Sequence, residues 1–187
     1  MEGILDETLI PQDNVQVKYG GFWPRLGALV LDGIILAPIT FGITYFNIST
    51  WKSIPLLALV SIVALAYKPI MESMYGATLG KMALKLTVTT TSFQKAELGT
   101  ILLRNIFNIG SGVLGLLISI MMYNDVSFQS ISSFTEFSMY SQEYQSMQFV
   151  NLANFLIVVV EAIMLATDPM KRSLHDRIAN TYVIEKL

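Results

Sequence analysis

The chain has 187 residues, 53% of them hydrophobic and 14% charged, where a soluble domain carries roughly 25% charged residues, so water is not its main solvent. It contains no cysteine, which excludes disulfides, thiolate metal sites and cysteine nucleophiles, and its net charge of −2 taken whole points to no partner. The apolar residues fall in blocks of about 18 or more, the length that crosses a hydrocarbon core about 30 Å thick, and this predicts a single membrane domain.

Residues 1–18 read as a polar tail. The start, MEGILDETLIPQDNVQVKYGG, is acidic and interrupted by Pro11, so it lacks the basic start and apolar stretch of a signal peptide and the first apolar block is expected to stay as an uncleaved span. Tyr19 and Trp23 mark the water–lipid boundary. The first span is expected at 26–46, with Asp32 inside it and Pro38 expected to kink it or loosen one hydrogen bond. After the polar stretch 47–53, a second span is expected at 54–75, its last third carrying Lys68, Pro69 and Glu72.

Residues 76–105 are polar and basic. Gly76 and Gly80 start a turn there, and Leu84, Leu86 and Val88 then alternate with Lys85, Thr87 and Thr89, a strand signature. From Glu97 the spacing becomes helical, with Leu98, Ile101, Leu102 and Ile106 on one side, which predicts an interfacial helix running into a third span at 106–123. Residues 124–149 form a polar loop with seven serines, Asp125, Glu136 and Glu143 and no Lys or Arg. The fourth span is expected at 150–167. Asp168 and Pro169 are a helix-start signal for a short helix over 169–179. Thr181 to Glu185 reads as a second strand, expected to pair with the one near 84–90, because either alone leaves backbone groups unpaired. The fold class that results is an all-α membrane protein, a four-transmembrane-helix bundle with a short strand pair and interfacial helices.

Lys and Arg near the span ends set the orientation. With the N-terminus inside, Lys18, Arg25, Lys81, Lys85, Lys95, Arg104, Lys171, Arg172, Arg177 and Lys186 all face the cytoplasm, and Lys52 alone lies outside. Both termini are therefore expected in the cytoplasm and the 124–149 loop outside it.

Asp32, Lys68 and Glu161 each fall roughly 10–13 Å from the cytoplasmic face at about 1.5 Å per residue. Charges at that depth cost about 2.5–3.5 kcal/mol each, so they should face one another or a wet cavity. Two acids and one base leave one negative charge over, which would take a proton or hold a cation. The same three residues could instead be a polar cluster that glues helices together. Glu161 and Asn154 share one helical face, giving the fourth span a polar stripe. Arg25 and Asp32 also share a face but are separated by two turns, about 10.5 Å, so Glu72 or Asp176 is the better partner for Arg25.

Gly76 to Lys81 is too short for a phosphate-binding GxxxxGK[ST] loop and has Met82 where that motif needs a hydroxyl, so it reads as a turn at the membrane surface. His175-Asp176-Arg177 stands without any other kinase element, and His175 is the only histidine, so no imidazole metal site is expected. Ser111, Gly115 and Ser119 form a small-xxx-small stripe suited to an internal helix contact or to a homodimer.

Three stretches taken together, YGGFWPRLGALVLDGIIL at 19–36, YGATLGKMALKLTV at 75–88 and SLHDRIANTYVI at 173–184, resemble the RDD family of small polytopic bacterial membrane proteins. The resemblance places the family's arginine and two aspartates on Arg25, Asp32 and Asp176, and its Gly-x-Thr-x-Gly-Lys loop on Gly76, Thr78, Gly80 and Lys81, with Leu79 where proline is common. It implies a bacterial inner-membrane protein. Cation/proton antiport is attributed to some members, and others look like accessory components of membrane complexes. The residues and the resemblance together lead to monovalent cation/proton exchange at Asp32, Lys68, Glu161 and Asn154, or alternatively to a non-catalytic scaffold or accessory subunit. The expected partners are the lipid bilayer, monovalent cations and protons, and a second copy or a membrane-complex partner. Enzymatic activity, a cofactor and a nucleic-acid partner are not expected.

Overall fold

The computed structural model describes residues 17–185; the expectations for residues 1–16 and for Lys186 lie outside that range. Twelve short and long elements follow one another: α1 (Phe22–Phe46) ending in a π-helical turn (Asn47–Trp51), α2 (Ile54–Tyr75), α3 (Leu79–Ala83), β1 (Leu86–Thr90), α4 (Leu98–Arg104), α5 (Ile106–Tyr123), a 3-10 turn (Val126–Ser130), α6 (Phe134–Glu143), α7 (Gln145–Thr167), α8 (Leu174–Ile178) and β2 (Thr181–Glu185). Four of the helical stretches are long and apolar enough to cross a membrane, namely Phe22–Trp51, α2, α5 and α7. Their outer faces carry exposed large apolar side chains such as Leu29, Ile39, Val63 and Phe155, which suits contact with acyl chains and not with water.

Local chemistry explains where the elements stop. Ser53 accepts from the Leu56 N–H to cap α2, and Gly76, at φ 73°, closes it by returning its N–H to the Glu72 carbonyl. α1 runs through Pro38 as one continuous helix. At its far end Lys52 turns left-handed and donates its N–H to Asn47.

Both described termini gather at one end of the bundle, the basic end. β1 and β2 pair antiparallel there, with Leu86 opposite Glu185, Val88 opposite Val183 and Thr90 opposite Thr181, and Tyr19 bridges to Ile184. This small sheet packs on the helices through a buried apolar cluster of Ala28, Leu86, Val88, Ala96, Ile101 and Val183. At the opposite end, Ile48, Tyr123, Phe128 and Ile131 form a second cluster. Its centre is the stack of Tyr123 on Phe128, ring centroids 4.1 Å apart, with the Asn47 amide donating to the Tyr123 hydroxyl at 3.3 Å.

Several expectations from the sequence are corrected. The helix that carries the fourth span begins at Gln145, ahead of the expected 150, and the polar segment before it is not an open loop: it folds into the 3-10 turn and α6, which Ser133 and Glu136 start with reciprocal capping bonds. The strand begins at Leu86 because residues 79–83 close a turn of helix first. No helix starts at Pro169. Asp168 instead caps a turn by accepting from the Met170 N–H at 2.8 Å, and the helix starts after Ser173, whose side chain and that of Asp176 form the capping box. The interfacial helix α4 and the span α5 are separated by a break at Asn105. Within the stripe of Ser111, Gly115 and Ser119, a Cβ at Gly115 would meet nothing within 4 Å; the close helix contact is made by Gly112, outside the stripe, where a Cβ would meet the Leu65 side chain at 2.1 Å.

Candidate functional site

The site begins with a close crossing of α3 over α1. A Cβ at Gly80 would lie 2.0 Å from the Ala28 carbonyl oxygen, so only glycine lets the two backbones approach this far. That approach brings the Gly80 N–H to 2.7 Å from Asp32 Oδ1, which also accepts from the Tyr67 hydroxyl at 2.8 Å. Tyr67 in turn accepts from the Leu79 N–H at 3.1 Å. Thr78 caps α3, accepting from the Lys81 N–H, and α3 thereby aims Lys81 at Glu72.

Beside this crossing lies a buried charge network. Glu72 and Asp176 are fully buried. Arg104 joins them, donating to Glu72 Oε2 at 2.8 Å and to Asp176 Oδ1 at 2.8 and 3.0 Å. Arg25 donates to the second oxygen of Asp176 and to the Lys171 carbonyl, and Lys81 pairs with the second oxygen of Glu72. The Asn105 amide also donates to Glu72, at 3.3 Å. Five elements, α1, α2, α3, α4 and α8, are thus tied at one point. Burial by itself would raise the Asp176 carboxyl, but Arg104 and Arg25 outweigh it and hold it well below the usual carboxylate range. Burial would likewise lower Arg104, and Glu72 and Asp176 overcome it and raise it. Lys81 goes the other way: burial brings it down to about 8 despite Glu72.

His175 connects the network to α7. Its Nδ1 bonds Glu161, and its Nε2 lies 3.2 Å from Arg104 and 3.0 Å from Ser173 Oγ. Burial, then Arg104, lowers the imidazole from its ordinary value, against the pull of Glu161 and Asp176. Arg177 turns away and pairs with Asp168 at 2.8 Å, as Arg172 does at 3.2 Å.

Two cavities of about 180 Å³ each meet at this pair. The first, between α1 and α7, is lined by Arg25, Asp32, Lys68, Lys81, Arg104, Glu161 and His175 together with apolar residues of both helices. The second lies between α5 and α7, lined by Asn108, Ser111 and Asn154, and shares Arg104, Val158, Glu161 and His175 with the first.

Asp32, Lys68 and Glu161 therefore line one cavity, but they do not pair with one another. Asp32 is held by Gly80 and Tyr67, Glu161 by His175, and Lys68 makes no hydrogen bond among the described residues. The two-acids-one-base count also changes. Glu72 and Asp176 stand behind the cavity and Arg25, Lys81 and Arg104 line it, so four acids face four bases and no carboxylate is left over while His175 is neutral. Asn154 sits in the second cavity, apart from Asp32 and Lys68. Arg25 takes Asp176 as its partner and not Glu72. Sequence reasoning used Arg104 only as a charge on one side of the membrane, and it passed over Tyr67 and Asn105. Only the spacing of Arg104 just before an apolar block, as a cation at a span entrance, could have marked it. Among the described residues no group of three or more His, Asp or Glu side chains is placed to hold a metal ion.

A scan against family profiles matches the RDD family over residues 19–180, nearly the whole chain. The chain belongs to the RDD family. With four apolar helices long enough to cross, it is a multi-pass membrane protein. The three positions that carried the resemblance have distinct roles in this RDD protein: Arg25 and Asp176 pair with each other, and Asp32 fastens α3 to α1. A search of curated proteins finds no match, and neither does a search of solved structures.

Proposed function

We propose that this RDD protein sits in a bacterial cytoplasmic membrane with its basic end and both termini in the cytoplasm, and exchanges a monovalent cation for protons at the Glu161–His175 pair. The observation that carries this reading is the position of the pair, at the junction of one cavity at the basic end and a second that runs along α7 to Asn154. Glu161 and His175 can share a proton, and a proton taken up by the pair competes with a cation for the same carboxylate charge. Asp32, also on the cavity wall, supplies the second acceptor for a cation through its carboxylate, while Asn154, Asn108 and Ser111 offer oxygens along the second cavity. The test is flux in proteoliposomes under an imposed pH gradient. Cation-dependent proton movement is the expected result. If the purified protein moves neither cation nor proton under any gradient, the exchange reading ends.

One observation favours the alternative of a non-catalytic scaffold or accessory subunit. The charges around the cavity balance, and most are bonded to partners, as in a cluster that fixes helices in place. On that reading the exposed basic residues of the sheet end or the α6 segment at the other end would meet a membrane-complex partner. The same flux assay separates the two readings.

A further inference from the structure

The first cavity has two chemically different halves. Its walls are apolar: Phe22, Leu26 and Leu29 from α1 face Val158, Ala162 and Leu165 from α7. Leu29 and Val158 are exposed, at 60% and 62%, so the gap between these two helices opens sideways toward acyl chains. Its floor is polar and contains the Lys68 ammonium group, which makes no hydrogen bond or ion pair among the described residues. Arg25, Lys81 and Arg104 each have a carboxylate, Asp176 or Glu72, on their far side. Lys68 has none within hydrogen-bonding reach among the described residues, and Asp32 already accepts two donors on one oxygen while Glu161 is engaged by His175. A lysine at this depth without a partner is costly, and lysines so placed recruit an anion or reach for the headgroup layer.

We propose that this lateral cavity binds one anionic phospholipid, its phosphate held by Lys68 and the first segments of its acyl chains lying between α1 and α7. Arg25, Lys81 and Arg104 on the cavity wall are matched by Asp176 and Glu72 behind them, so the preference for an anion rests on Lys68. A zwitterionic headgroup brings its own cation back toward those side chains, and a free phosphate gains nothing from the apolar walls. The site stands whether or not the protein moves ions. If it does, the lipid closes the sideways opening, so that the Glu161–His175 pair communicates with water along the cavity axis alone.

The full chain, purified and exchanged into equal mixtures of phosphatidylglycerol and phosphatidylcholine with the same acyl chains, tests this by native mass spectrometry of the retained lipid. One phosphatidylglycerol per chain is expected, with a preference of roughly fivefold, what one lysine near a membrane surface contributes. Lys68→Gln should bring the preference close to equality, and Lys68→Arg should keep it. Leu29→Trp, which leaves every charge in place and fills the wall, should remove the retained lipid, and thermal unfolding in detergent shows that each variant is folded. Equal retention of the two lipids, or a preference that Lys68→Gln leaves unchanged, would overturn the proposal. So would displacement by glycerol 1-phosphate, since that would make the site one for a soluble phosphate.

Discussion

Arg104 lies 3.2 Å from the Nε2 of His175, and because a guanidinium only donates hydrogen bonds, that nitrogen accepts and the imidazole proton sits on Nδ1, facing Glu161. Adding a proton to Nε2 would set two donors against each other. Burial and Arg104 lower the imidazole from its ordinary value, with Glu161 and Asp176 opposing. Between the lowered value and the ordinary one, near 6.5, the unfolded chain binds more protons than the folded one, so stability rises with pH through that window. The contribution is complete above the ordinary value and is lost as pH falls through the lowered one. Thermal unfolding in detergent followed from about pH 5 to pH 8 should show this slope, and His175→Gln should flatten it. An identical slope in the variant would remove His175 from the explanation.

Glu72 and Asp176 are each fully buried between cations. Glu72→Gln or Asp176→Asn leaves those cations buried and uncompensated, which costs about 3–5 kcal/mol. The pair of Lys18 with Glu185 is a contrast, since Lys18 is 68% exposed, and Glu185→Gln should change stability by no more than about 1 kcal/mol. Denaturation of the three variants in the same detergent gives the comparison, and similar losses for all three would contradict the ranking.

Gly80→Ala places a methyl 2.0 Å from a backbone oxygen of α1. Neither partner is a flexible side chain, so the crossing must open, at about 1–3 kcal/mol or more, and the bond from Gly80 to Asp32 lengthens with it. Gly115→Ala meets nothing within 4 Å and should be close to neutral. Unfolding midpoints of the two variants side by side would show whether the crossing or mere helix content matters.

Topology has its own test. Reporter fusions after residues 48 and 135 should report outside the cytoplasm, and fusions after residues 90 and 187 inside it. A C-terminal fusion reporting outside would reverse the orientation.

In the flux assay, Asp32→Asn and Glu161→Gln should keep the fold and abolish cation-dependent proton movement, because an amide retains shape and an acceptor oxygen but releases no proton. Asp32→Asn is informative here because its remaining carbonyl can still accept from Gly80 and Tyr67. Lys68→Ala should act differently. It removes a base from the cavity wall and leaves Asp32 and Glu161 in place, so proton movement should persist with an altered pH dependence. Both amide variants moving ions as well as wild type would leave the scaffold reading standing.

The sequence by itself determined the membrane class, the number of spans and the strand pair, because these follow from the lengths of apolar blocks and from alternation that any backbone must obey. The three RDD motifs, read together, also identified Arg25, Asp32, Gly80 and Asp176 as special. It did not reveal what each does. In the sequence Asp32 is one of three charges sharing a cluster with Lys68 and Glu161; that it also accepts a backbone N–H is not legible there, because the Gly80 crossing, 48 residues away, exists only in the folded chain. Arg104 looked like an orientation signal and proves to bridge Glu72 and Asp176, residues 32 and 72 positions distant. The charge balance was misread for the same reason: burial couples ions by distance in space, and only the tertiary structure decides which carboxylate meets which base.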